Sequence, residues 1–347
     1  MSNDNPVWNF IDELKQQPRI TEIVINGVKS IFIEEDGHFI HLDHSLAPQD
    51  ISHFINDVAK YNNRECNRQN PILDGLLPDG SRINIILPPY AHRFPAITIR
   101  KYLKNFKKFE ENSDIFGLNN GWIKFLKSLV EARLNIMVSG GTGVGKTTLL
   151  NMLLNEINPT ERVVTIEDTL ELNLSLTNLV RLEARGNSAK SDGPSIGDLV
   201  KNTLRMRPDR IVIGEVRGGE LFHLLQAMNT GHEGSMSSIH ANSPAESLGR
   251  MQTLFLLSGM DLPHQVVCKQ ITDSVDYIIQ LSRTRRGERI ISHITEITGL
   301  EASAILTNNI AIYEDGRLIP SKVAPQKMGQ IHERSGLPLD FLSTIMA

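Results

Sequence analysis

The sequence predicts an α/β protein, a largely parallel sheet flanked by helices, preceded by a smaller α+β domain. Three observations predict it. From about residue 118 onward, apolar strand-like runs alternate with amphipathic helical ones, as in a sheet built from crossover units. Between the first such strand and the first such helix stands SGGTGVGKTT (139–148), a glycine-rich phosphate loop in the setting that the motif requires. The length of 347 residues also exceeds one ordinary core, so two domains are expected.

Residues 1–106 form the smaller domain. ITEIVIN (20–26), SIFIEE (30–35) and HFIHLD (38–43) read as strands, the last two joined by a turn at Asp36-Gly37. PQDISHFINDVAK reads as a helix because Ile51, Phe54, Ile55 and Val58 recur at three and four. PDGSRINIILPP and PAITIRK return to strand. The polar stretch at 107–117 reads as a linker.

Residues 118–347 then run NIMVSG strand, GKTTLLNMLLNEI helix, RVVTIED strand, LVRLEA strand, SIGDLVKNTLRM helix, RIVIGEV strand, GELFHLLQAMN helix and SMSSIHA strand. Two stripes are expected to pack: Ile196, Leu199, Val200 and Leu204, and Leu221, Leu224, Leu225 and Met228. Beyond Leu262 come a helix, the strand YIIQLS, a basic turn RTRRGER (283–289), the strand IISHITEIT, and a hairpin turning at Glu314-Asp315-Gly316.

Composition narrows the class. A net charge of −4, with no interleaving of aromatic and basic residues, offers nucleic acid no general attraction, and a strand-binding helicase is not expected. The opening MSNDNPVW lacks a secretory pattern, and the greasiest stretch, TLFLLSGM, is far short of a membrane span, so a cytoplasmic location is expected. Cys66 and Cys268 fit neither a disulfide framework nor a zinc ribbon.

In the phosphate loop, Gly140, Gly141, Thr142, Gly143, Val144 and Gly145 let backbone N–H groups converge on phosphate oxygens, and the helix that begins near Lys146, Thr147 and Thr148 adds its positive end. Lys146 is expected on the β and γ phosphates of ATP and the Thr147 hydroxyl on Mg²⁺. Hydrolysis further needs acids at strand ends for the metal and the water. Glu215 closes one apolar strand and Glu167 with Asp168 another. Arg205, Arg207, Arg210 and Arg217 are candidates for neutralising the γ phosphate, some of them serving only in structural ion pairs.

The ordered set GGTGVGKTT, TIEDTLEL, LRMRPDRIVIGEVRGGE and AMNTGHEGSMSSIHANSP resembles the Walker A, Asp box, Walker B and His box of the type II/IV secretion ATPase superfamily. The likeness is strongest to its CpaF-type members, which drive assembly of Flp (tight-adherence) pili. ITEIVING, LPDGSRINIILPP and AITIRK are similar to that family's N-terminal domain. The resemblance implies a RecA-like ATPase domain behind a PAS-like domain. It also implies a homo-hexamer powering pilus assembly or secretion beside an inner-membrane platform protein, at the cytoplasmic face. A type IV secretion traffic ATPase moving effector proteins or DNA is the alternative client. By the same resemblance Glu215 is the Walker B acid, shared with Thr147 as a Mg²⁺ ligand, and Glu167 and Asp168 are the Asp-box acids. Arg82 and Arg100, and more weakly Arg93, reach the nucleotide from the N-terminal domain. The tetracysteine insert of GspE-like members is absent, as two cysteines require.

His232 and His240 stand eight positions apart across a turn and a strand, a spacing unsuited to zinc. His240 is expected to face the γ phosphate as a neutral donor. For His232 a local turn role and a His-box role both stand open.

Overall fold

The computed structural model describes residues 5–35, 37–101, 109, 116–184 and 193–345. Contacts divide the chain into two compact units, Met1–Asn105 and Phe106–Ala347.

In the first unit, six strands form one antiparallel sheet: β1 (Ile20–Ile25), β2 (Ile31–Glu35), β3 (His38–Leu42), β4 (Ile72–Leu76), β5 (Arg82–Ile86) and β6 (Ala96–Arg100), ordered β3-β2-β1-β6-β5-β4. Alternation sets its faces: Ile23, Ile25, Ile83, Ile85, Ile97 and Ile99 are buried, while Glu22, Thr98 and Asn84 lie between them on the other face. The buried face packs with helices α1 (Pro6–Gln16) and α2 (Pro48–Tyr61). Helix α2 matches the periodicity seen in the sequence, whereas α1 and β4 were not expected. Helix α1 starts at Asn5, whose side chain accepts from the Val7 N–H at 2.9 Å, with Pro6 in the first turn. Strand β4 reads poorly because ILDGL carries Asp74 and Gly75. It is held by pairing to β5 along its length and by Asn62, which accepts from the Leu76 N–H at 2.8 Å and donates to the Leu76 carbonyl at 2.9 Å. A β-carbon on Gly75 would lie 2.5 Å from the Asn62 Oδ1, so that fastening requires glycine. The expected turn residue Asp36 lies outside the described residues.

The second unit is built on a nine-stranded sheet ordered β15-β14-β13-β12-β7-β11-β10-β8-β9. Six strands run parallel: β7 (Ile136–Gly140), β8 (Val163–Glu167), β9 (Leu179–Glu183), β10 (Arg210–Ile213), β11 (Met236–Ile239) and β12 (Tyr277–Arg283). The last three, β13 (Arg289–Glu301), β14 (Ala304–Glu314) and β15 (Arg317–Pro320), extend it antiparallel, with Asp315 and Gly316 at positive φ in the final turn as expected. Both faces are covered, which is why strands such as IMVSG are apolar without alternation. Ile136 and Val138 belong to one core and Met137 to the other.

Helices α4 (Lys146–Leu154), α5 (Ile196–Thr203), α6 (Glu220–Asn229) and α8 (His264–Ser274) fall where periodicity put them. Leu221, Leu224, Leu225 and Met228 are buried, but Leu204 is exposed because α5 ends one residue before it. Helices α3 (Asn120–Glu131) and α7 (Pro244–Leu256) were not expected, although each has a side-chain cap, Asn119 and Ser243. The first half of TLFLLSGM is the end of α7. Among the described residues no helix is long and apolar enough to cross a membrane. Most of the expected linker lies outside the described residues, while its Phe109 and Phe116 are buried in the core of the second unit. The segment between Ala184 and Gly193 also lies outside them.

Candidate nucleotide site

Because β7, β8, β10 and β11 are parallel neighbours, their carboxyl ends share one edge of the sheet, and everything that follows them converges there. The phosphate loop leaves β7 at Gly140 and enters α4 at Lys146. Gly145 sits at φ 101° at the helix cap, and a β-carbon there would press on the Phe116 ring at 3.0 Å. Lys146 is buried, donating to the carbonyls of Gly140 at 3.1 Å and Gly141 at 2.9 Å, with its Nζ 3.3 Å from each ring nitrogen of His240. Thr147 donates to Glu171 at 3.4 Å, and Thr148 follows in the first turn of α4.

The acids line the same edge. Glu215, just past β10, receives a hydrogen bond from Arg217 on Oε2 at 2.7 Å. Its Oε1 lies 2.9 Å from the His240 Nε2, yet is buried with no aligned hydrogen bond. Arg217 also reaches Asp168 at 3.4 Å, and its hydrogen bond to Glu215 raises its pKa. Burial, helped by Lys146 and Arg217 and opposed by Glu215, holds His240 below the usual histidine range. The imidazole is therefore neutral at pH 7 and can donate from one nitrogen.

Glu167 is the deepest acid, at 3% exposure. Its Oε2 accepts the N–H groups of Glu171 and Leu172, both at 2.7 Å, while its Oε1 is buried without a partner. Burial outweighs these bonds and pushes its pKa to about 7. A carboxyl whose folded pKa is raised binds more protons folded than unfolded, so stability falls as pH rises from about 4.5 to about 7. The loss is up to about 3 kcal/mol across that window. Thermal melts between pH 5 and 8 are expected to show this slope, and Glu167→Gln, which still accepts both amides, to flatten it. An equal slope in the variant would assign the pH dependence to another group.

Two expected site residues are elsewhere. Arg210 begins β10, at the amino edge opposite the loop, fully buried in a two-pronged pair with Glu161 at 2.8 and 2.9 Å. Breaking such a pair strands a buried charge at about 3–5 kcal/mol, a structural duty that corrects its catalytic assignment. Arg207 is exposed at φ 54° on the turn before the same edge, away from the loop of its own chain. His232 lies at that edge too, its Nδ1 3.1 Å from the Ala227 carbonyl. The length of β11 thus separates the two histidines, and among the described residues no cluster of His, Cys, Asp and Glu forms a metal cage. Arg82 and Arg100 belong to the first unit, where they are cross-strand partners on β5 and β6 with Glu22 opposite Arg100.

Sequence reasoning missed Glu171, Arg181 and Arg283. Glu171 lies inside the quoted Asp box, three residues past Asp168, so its closeness to Thr147 could have been suspected. Arg181, whose charge bears on Glu167 and whose Nη2 holds the Leu172 carbonyl at 2.7 Å, had no signal beyond lying mid-strand on β9.

Divalent metal fits this edge. The buried Glu167 Oε1 accepts no hydrogen bond and Glu215 is a second carboxylate at the same edge, and Mg²⁺ is commonly held by one or two carboxylates together with substrate phosphates.

Residues 3–308 match the family described as type II/IV secretion system protein. The chain belongs to that family. Among its relatives, the conjugal transfer protein TrbB of Rhizobium radiobacter is 33% identical over 85% of this chain and 89% of its own. Protein VirB11 of Agrobacterium fabrum is 30% identical over 79% of this chain and 87% of its own. The ATPase DotB of Legionella pneumophila shares the fold at a TM-score of 0.60 and 20% identity, covering 87% of this chain and 83% of DotB. Together with the phosphate loop and its acids, membership of this type II/IV secretion family makes the chain an ATPase. The superfamily read from the four motifs stands. The narrower CpaF likeness does not mark the relatives: TrbB is named for conjugal transfer, and the VirB11 of Bartonella henselae, 30% identical over 80% of this chain and 87% of its own, is named a type IV secretion system protein.

Proposed function

We propose that this chain is an ATP-driven motor subunit of a type IV secretion machine, moving proteins or DNA, and that it works as a homo-hexamer at the cytoplasmic face of the inner membrane. The observation that carries the reading is the meeting of Lys146, Glu215 and His240 at one sheet edge in a chain with conjugal transfer and type IV secretion relatives. The pilus-assembly reading rests on the likeness of the four motifs and of the first unit's strands to CpaF-type proteins, and it takes second place.

In this mechanism the arriving triphosphate draws Lys146 away from the Gly140 and Gly141 carbonyls. Thr147 and Glu215 would hold Mg²⁺, and the ion would offset the charge developing on the transferred phosphoryl group. Glu215 and Glu167 orient the attacking water, and an ionised Glu167 can take its proton at a pKa of about 7. His240 donates to the γ phosphate, and loss of that phosphate returns it to Glu215 and Lys146. Arg217 turns from Glu215 and Asp168 toward the nucleotide as charge builds. Arg82 and Arg100 are proposed as further arginines for the nucleotide phosphates.

Mass measurement in solution tests the assembly, with Mg²⁺ and a slowly hydrolysed ATP analogue added. Six copies are expected. A chain that stays monomeric with nucleotide bound sinks the motor reading. In cells, loss of surface pili with substrate transfer intact would favour the pilus branch instead.

A further inference from the structure

The basic turn at 283–289 has a neighbour that its sequence did not reveal. Leu281 of β12 is the register partner of Gly140 of β7, so the chain that continues past Leu281 runs beside the phosphate loop that continues past Gly140. Arg283, two residues on, donates from Nη2 to the Gly143 carbonyl at 2.9 Å. A β-carbon on Gly143, which stands at φ 72°, would approach the same nitrogen to 3.3 Å. Phe116, which bridges to Ile290 of the same hairpin, also touches the loop, backing Gly145.

We infer that Arg283 is a positioning residue for ATP, holding the loop in its phosphate-receiving form. The reason lies in peptide geometry. A trans peptide points its C=O and its N–H in opposite directions. Pinning the Gly143 carbonyl to Arg283 therefore turns the Val144 N–H away from the guanidinium, toward the hollow where phosphate is received. Gly141, Gly143 and Gly145 alternate along the loop, and without a restraint glycine peptides rotate easily, turning carbonyl oxygens toward the incoming anion. Lys146 braces the Gly140 and Gly141 carbonyls only until it moves onto the triphosphate, whereas Arg283 braces Gly143 from outside the site and stays through binding.

The inference rests on the nucleotide reading, which Lys146→Ala tests separately. Arg283→Ala is expected to raise KM for ATP by about tenfold, the worth of one charge-assisted hydrogen bond, with kcat within about twofold of the parent. Inhibition of the ATPase by inorganic tripolyphosphate, which has no base or ribose, should weaken by the same factor, and inhibition by adenosine should not change. Arg283→Lys, which can still offer one donor to the carbonyl, restores most of the affinity; Arg283→Gln, which is too short, behaves like alanine. Unchanged KM and tripolyphosphate inhibition in the alanine variant would overturn the assignment. So would an equal loss of adenosine inhibition, which would place Arg283 on the base, or a fall in melting temperature that accounts for the lost affinity in all three variants.

Discussion

Lys146→Ala is expected to weaken ATP binding by at least about 100-fold and to leave no measurable hydrolysis. The ammonium is buried, at 8% exposure, and serves two roles in sequence. Without nucleotide it satisfies the Gly140 and Gly141 carbonyls, and with nucleotide it is the principal buried cation for the phosphates. Truncating one member of a buried, hydrogen-bonded charge pair costs about 2–5 kcal/mol, and each 1.4 kcal/mol is tenfold in affinity. Titration with a fluorescent ATP analogue or by calorimetry measures the loss. Parental-like affinity in a folded alanine variant would mean that the triphosphate binds somewhere else.

The second large effect separates binding from chemistry. Glu215→Gln should keep ATP affinity within a few-fold and lower turnover by about 10²–10⁴. The amide has the size of the carboxyl and can still accept from Arg217, so the edge of the sheet should keep its shape. What it lacks is negative charge, and so the ability to hold a cation or favour proton transfer from water. Removing the charge also removes the one influence that raises the His240 pKa, so the imidazole stays neutral and its donor role survives. Single-turnover phosphate release together with nucleotide binding on the same preparation decides the matter. A Gln variant hydrolysing at the parental rate would transfer the role to Glu167, whose own orphaned oxygen is the next acceptor in line.

Legibility in the sequence followed the range of the interaction. The phosphate loop could be read because its parts are contiguous: the glycines, Lys146 and Thr147 act on one ligand through adjacent backbone. Glu215 and Glu167 could be read because each ends a continuous apolar run, and in a parallel sheet such ends share an edge. Helix α3 was legible but passed over: Trp122, Ile123, Phe125, Leu126, Leu129 and Val130 line one face of it and Asn119 caps it, the ordinary signature of an amphipathic helix. In α7 the stripe is blurred by Ser247, a polar residue on the buried face. Strand β4 escaped because Asp74 and Gly75 interrupt its apolar run, while what holds it, pairing to β5 and the fastening by Asn62 fourteen positions from Leu76, is not local.

The four arginines show where sequence runs out. Arg210 and Arg217 flank the same strand, and either could have served the phosphate. Strand direction sent them to opposite edges, Arg210 to Glu161 in the interior and Arg217 to Glu215 and Asp168. A guanidinium reports its charge in the sequence but not its partner, and the partner decides between structural and chemical duty.

The sequence by itself determined the family, the phosphate loop and the acids at the strand ends, because each is written in neighbouring residues whose backbone geometry is local. The tertiary structure alone decided which arginine stands at the site, which histidine faces Lys146, and that Glu171 and Arg283 reach the loop. Those outcomes depend on strand order and register, which bring residues up to 140 positions apart within one hydrogen bond of each other.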